Sequence, residues 1–113
     1  RLLMAMSRFK VTKDADRFPA QGVIMYSPYI DARVLAANTA ESHTIPTGAK
    51  VVVFSADQNF YARFGATAAI PAADVTDGTS PMLNPTARGI EDGVTTISLI
   101  SPVACTVTMA FYV

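Results

Sequence analysis

The sequence predicts an all-β domain: an antiparallel β-sandwich or a jelly-roll-like barrel with an extended N-terminal arm. Three observations predict it. In the last eleven residues every second one is apolar, namely Val103, Cys105, Val107, Met109, Phe111 and Val113. Between them lie small, hydroxylated or amphipathic residues, the period of two that gives a strand one greasy face and one milder face. Turn signals recur at spacings near ten residues, and no stretch sustains a long helical period, which is the pattern of short paired strands.

The terminal strand is long, about 36 Å at roughly 3.3 Å per residue, so it needs paired neighbours and a second layer. At the other end of the chain, residues 1–32 read as the arm and residues 33–113 as the body. Ser7 to Phe18 keeps no period, and Pro19, Gly22 and Pro28 break up the remainder of the arm. Phe9, Phe18, Ile24, Tyr26 and Tyr29 are isolated anchors, too sparse for a core of their own. Such anchors suit docking onto the chain's own body or onto a neighbouring subunit. The stretch Val34–Ile45 reads as a strand pair or one bent strand, preferred over a helix at Asp31–Ala37 because threonine and β-branched residues come directly after. Pro46-Thr47-Gly48-Ala49 is a turn.

Lys50–Ala56 is a continuous apolar run and reads as a strand buried on both faces. Asp57-Gln58-Asn59 is a short polar loop, and Phe60–Gly65 returns with Phe60, Ala62 and Phe64 on one face. Two runs joined in this way predict a β-hairpin. Residues 66–93 hold Pro71, Pro81, Pro85, Gly78, Gly89 and Gly93, and read as a long loop with extended pieces at Ala73–Val75 and Met82–Leu83. Val94–Ser101 is the next strand, with Ile97 and Leu99 sharing a face.

Composition removes several function classes. With 113 residues, 50% hydrophobic and only 16% charged, the chain is one domain and not wholly disordered. No apolar run reaches the length of a membrane span. The formal net charge is zero, against the overall basic signature of a nucleic-acid binder, although residues 1–17 carry a local balance of +3. The opening Arg1–Met6 is too short in its apolar run for a signal peptide, and Met4 or Met6 before Ser7 has the look of a start. Expression and assembly in a reducing cytoplasm are expected.

Chemistry-bearing residues are few. The single cysteine, Cys105, excludes a disulfide or a cysteine-ligated zinc within one chain, and its place on the apolar face suits a core residue. The single histidine, His43, is too little for a cupin-type metal site, and no G-x-S-x-G elbow accompanies it. Asp74 and Asp77 resemble part of a calcium loop but lack its alternating order and closing glutamate, so a solvated turn is expected. Glu91-Asp92-Gly93 is a polar turn before a strand. Arg63, between Tyr61 and Phe64, has the makings of a stacking or phosphate contact and equally of an ordinary sheet face. No catalytic residue, cofactor or metal is expected. A ligand-binding module of cupin type rests on fold class alone, which does not give function.

Two stretches carry a resemblance. They are Ile45–Ala56 together with Phe60–Gly65, and Asp74-Val75-Thr76-Asp77-Gly78-Thr79-Ser80-Pro81-Met82-Leu83-Asn84-Pro85. Over roughly Ile45–Val113 the chain resembles the small structural proteins encoded in the virion gene clusters of tailed bacteriophages. The resemblance implies a small β-sandwich without catalytic residues that joins symmetric particles, as a capsid decoration (cement) protein, a head–tail joining protein, or a tail or fibre component. It implies the major capsid protein or other virion proteins as partners, homo-oligomers, no membrane, and a location in the virion.

Overall fold

The computed structural model describes residues 6–9, 11–13 and 19–113, with backbone alone for residues 11–13 and 19–22. Its first five strands are β1 (Val11–Lys13), β2 (Pro19–Ile24), β3 (Ile30–Leu35), β4 (Glu41–Thr44) and β5 (Val51–Ala56). Then come β6 (Tyr61–Phe64), β7 (Met82–Leu83), β8 (Ala87–Gly89), β9 (Thr96–Ile100) and β10 (Cys105–Tyr112). There is no helix among the described residues.

The strands form two four-stranded antiparallel sheets, in the orders β3-β10-β5-β8 and β4-β9-β6-β7, and a separate β1–β2 ribbon. The fold is therefore the expected all-β sandwich. Its centre is β10, which pairs β3 on one side and β5 on the other. Cys105, Val107, Met109 and Phe111 face inward, the last three with no exposed surface. They pack in one cluster with Leu35, Val52 and Phe54 of their own sheet and with Ile97 and Leu99 of β9 in the other. The period of two in the sequence is thus the division between core and outer face.

Four expectations are corrected. First, β5 and β6 are not a hairpin. Residues 57–60 carry the chain from one sheet to the other, so β5 pairs β10 and β8 while β6 pairs β9 and β7. Their aromatic residues meet across the core instead of lying side by side, the ring of Phe54 on β5 lying 6.3 Å from that of Phe64 on β6 and 5.7 Å from that of Phe60 in the crossing segment. A short polar loop serves an arch between layers as readily as a hairpin. Asn84 fixes this arch: its side-chain oxygen accepts from the Phe60 N–H at 3.0 Å, its amide donates to Asn59 Oδ1 at 3.0 Å, and its own N–H donates to the Phe60 carbonyl at 2.9 Å. It does so in the left-handed region, at φ 48°.

Second, β5 is buried on one face only. Val52 and Phe54 are inside, while Val51 and Val53 lie half-buried on the outer face. Third, Met82–Leu83 is extended as expected, but Ala73–Val75 forms no strand and Ala87–Gly89 does, as the edge partner of β5. Three residues ending in glycine carry too little pattern to announce a strand; the pairing defines it. Fourth, the end of the arm at residue 32 falls inside β3. Pairing with β10 already begins at Ile30, and the Phe111 N–H donates to the Tyr29 carbonyl at 3.0 Å. Strand β9, by contrast, is covered on both sides: Ile97 and Leu99 face the core, and Ser98 on the back accepts from the Ala68 N–H at 2.8 Å.

Phe111→Ala should lower stability by about 3–5 kcal/mol, as large core truncations do. Thr108→Ala, on the outer face of the same strand, should stay within about 0.5 kcal/mol of the parent. Denaturant melts of the two variants side by side check the assignment; equal midpoints refute it.

Candidate functional site

The chemically capable residues are largely spent on holding the sandwich together. His43, on β4, reaches across the layers, with Nε2 2.8 Å from Asp31 Oδ2 on β3. Its ring stacks on Phe111 at 6.0 Å and 15°. Beside it the Arg33 guanidinium donates to the Ser42 carbonyl and lies 3.6 Å from the Glu41 carboxylate. These four side chains stitch β3 to β4 along the open side of the sandwich. Arg33 Nε, buried, finds no acceptor among the described residues.

Asp77 accepts from the Thr79 hydroxyl at 2.6 Å and the Thr79 N–H at 3.2 Å. Those bonds hold its carboxyl below the usual aspartate value. The carboxylate therefore closes a turn around Gly78. Among the described residues no three or more His, Cys, Asp or Glu side chains converge as a metal site. Asp92 pairs with Lys50 at 3.0 Å in full view of solvent, and the Glu91 carbonyl accepts from Val94 in the turn before β9. Arg63 lies half-buried on the outward face of β6, opposite Ser98. A groove at the β5–β6 arch is lined by Asp57, Asn59, Asn84 and Thr86, among others. Its polar groups already serve the fold: Asp57 accepts from the Thr106 N–H at 2.9 Å and the Asn59 carbonyl from the Ser101 hydroxyl at 2.7 Å.

The predicted arm anchors divide into separate groups. Tyr29 packs edge-on against Phe111, with ring centroids 6.1 Å apart, and joins the margin of the core. Phe9 meets the outer face at Tyr112, 5.1 Å away and edge-on. Nearby, Ser7 bridges Tyr112, the Tyr112 hydroxyl donates to the Met25 carbonyl at 2.8 Å, and the buried Ser27 hydroxyl donates to the Phe111 carbonyl at 2.6 Å. The arm is thus moored to the last residues of β10. Ile24 is half-buried in the β1–β2 ribbon, opposite Val11. Tyr26 is 75% exposed and Val23 50% exposed. Phe18 lies outside the described residues.

A second surface is built from strand register. Ile30, Ala110, Val53 and Ala87 lie in one row across all four strands of the β10 sheet. The adjoining rows hold Ala32, Thr108 and Ser55, then Val34 and Thr106. This outer face bears no charged side chain along those rows, and Ile30 and Val34 stand 57% and 74% exposed. Sequence reading passed over this face and the charged stitch beneath it. Part of the signal for the stitch was present: Asp31 and Arg33, and Glu41 and His43, are each two apart, hence each pair lies on one face of its own strand.

No family model matches the chain, and neither a curated protein nor a solved structure matches it.

Cys105 gives a direct test of the core. It is 3% exposed, with its sulfur 3.5 Å from the Gln58 carbonyl, and burial pushes the thiol above its ordinary value. A thiol whose folded value is raised contributes stability below the unfolded value and loses it as pH rises through the folded one. Stability should therefore decline in the alkaline range for the parent and less for Cys105→Ala. Reaction with a thiol reagent at neutral pH should follow global unfolding; rapid labelling of the folded chain refutes the burial.

Proposed function

We propose that the chain is a non-enzymatic structural protein of a tailed-phage virion, of the capsid decoration kind. In this reading it binds the major capsid protein and bridges neighbouring subunits. One observation carries the reading: a sandwich whose His43, Asp31 and Asp57 side chains bond within its own fold extends a moored β1–β2 ribbon that, among the described residues, pairs with neither body sheet. The chain measures 52 × 35 × 27 Å with a radius of gyration of 15.5 Å. A compact chain of this length has about 13 Å. A ribbon held at its base, with Val23 on its second strand and Tyr26 at the mooring both exposed to solvent, suits insertion between subunits of a larger surface. The sequence resemblance points the same way. Head–tail joining and tail or fibre roles use the same parts, and the particle that binds the chain separates them.

The test is co-sedimentation with purified heads and with tails from the phage that encodes it. Saturable binding to heads is expected, weakening as salt rises because the first seventeen residues carry a balance of +3. Val23→Asp and Tyr26→Asp, both at exposed positions, should weaken binding by about tenfold or more while leaving the melting temperature unchanged. Saturable binding to tails alone would move the chain to the neck or tail, and binding to neither would refute the virion role.

A further inference from the structure

The outer edge of β3 has the means to recognise itself. Sheet edges are usually blunted by shortness, proline, lysine or bulges. The edges at β4, β7 and β8 are four, two and three residues long, whereas β3 runs for six residues with no proline, lysine or register shift. Tyr29 and Phe111 face each other as a hydrogen-bonded pair, the Phe111 N–H donating to the Tyr29 carbonyl directly and the Ser27 hydroxyl bridging the Tyr29 N–H to the Phe111 carbonyl. Because such pairs alternate in an antiparallel ladder, Asp31, Arg33 and Leu35 also turn their backbone groups toward β10. The N–H and C=O groups of Ile30, Ala32 and Val34 therefore point to the open edge. Among the described residues no strand pairs with that edge.

The order along β3 is apolar, acid, small, base, apolar: Ile30-Asp31-Ala32-Arg33-Val34. It is the same in either direction except that acid and base exchange places, which is what a two-fold axis requires. We propose that β3 pairs antiparallel with β3 of a second copy about an axis through Ala32. Ala32 then meets the partner's Ala32, and Ile30 meets the partner's Val34, through about six backbone hydrogen bonds from groups that already face outward. Asp31 meets the partner's Arg33 in the pairs that bring side chains closest. Both side chains are about one-third exposed, Asp31 at 33% and Arg33 at 34%, so they are within reach of a partner while bound to His43, Ser42 and Glu41. The exposed Ile30 and Val34 cover one another on the outer face. The product is a continuous eight-stranded sheet, and it closes at two copies because the contact is isologous.

The proposal does not rest on the virion reading, since it concerns the free chain. Light-scattering mass across a concentration series of the full chain is the measurement. The expected mass at high concentration is twice the 12.0 kDa of one chain. Ala32→Pro removes only an N–H that faces the edge, so it should give a folded monomer. Asp31→Arg and Arg33→Asp should each be monomeric alone and form a mixed dimer when combined, because each then faces opposite charges. If any of these variants fails to fold, Val34→Lys decides, with at least a tenfold loss of dimer expected. A parent chain that stays at one-chain mass up to about 1 mM, or a folded Ala32→Pro or Val34→Lys that dimerises like the parent, overturns the proposal.

Discussion

The structure depends on the inward face of β10. Val107, Met109 and Phe111 have no exposed surface, and both flanking strands take their register from the strand that carries them. Burying a large aromatic side chain contributes roughly 1.5–3 kcal/mol. Phe111 adds directional contacts to that: its ring takes Tyr29 on edge and His43 on its face. Its backbone serves the arm as well, donating to the Tyr29 carbonyl and accepting the Ser27 hydroxyl. One residue thus joins core, inter-sheet stitch and arm mooring, and a disturbance there reaches all three.

That dependence places the polar chemistry. A sandwich of two four-stranded sheets leaves its sides open where the edge strands face each other. At β3 and β4 the gap is filled by Asp31, Arg33, Glu41 and His43, paired across the layers. Partly exposed ion pairs add little stability, about 0–1 kcal/mol each. They do place opposite charges where an apolar pair would leave an open greasy seam. The histidine and acids that invite a search for catalysis are accounted for by this closing role, at residues whose partners lie on the facing strand.

Legibility followed the strength of each residue pattern. The terminal strand could be read because its alternation runs over many residues, and β9 because Ile97 and Leu99 repeat the period beside it. Partnership between strands could not be read from sequence distance. Residues 57–59 serve as a hairpin loop or as an arch, and only Asn84, twenty-five positions after Asn59, decides between them. Strand β8 was invisible because three residues hold less than two periods. The limit of the arm was missed for a similar reason. Proline and glycine mark breaks in regular structure, but Tyr29 and Ile30 come after the last break and already belong to the body. The charged stitch was legible in part, as residues two apart on each strand, but which strands face each other is a property of the two-layer fold.

Inward-pointing charge on an edge strand ordinarily prevents edge-to-edge association. On β3 its effect depends on register. Pairing in parallel sets Asp31 against Asp31 and Arg33 against Arg33, and an antiparallel axis through either charged residue opposes like with like. Directly opposed like charges are destabilising, and opposite ones contribute roughly 0.2–1 kcal/mol each. The axis through Ala32 opposes each acid to a base, and it also brings together the outward-facing N–H and C=O groups in hydrogen-bonding pairs. Electrostatics and backbone geometry, set by independent features of the strand, select the same register. The charges therefore discourage unrelated strands while leaving one arrangement of identical strands favourable, which is the condition for an edge that associates with itself and stops at two.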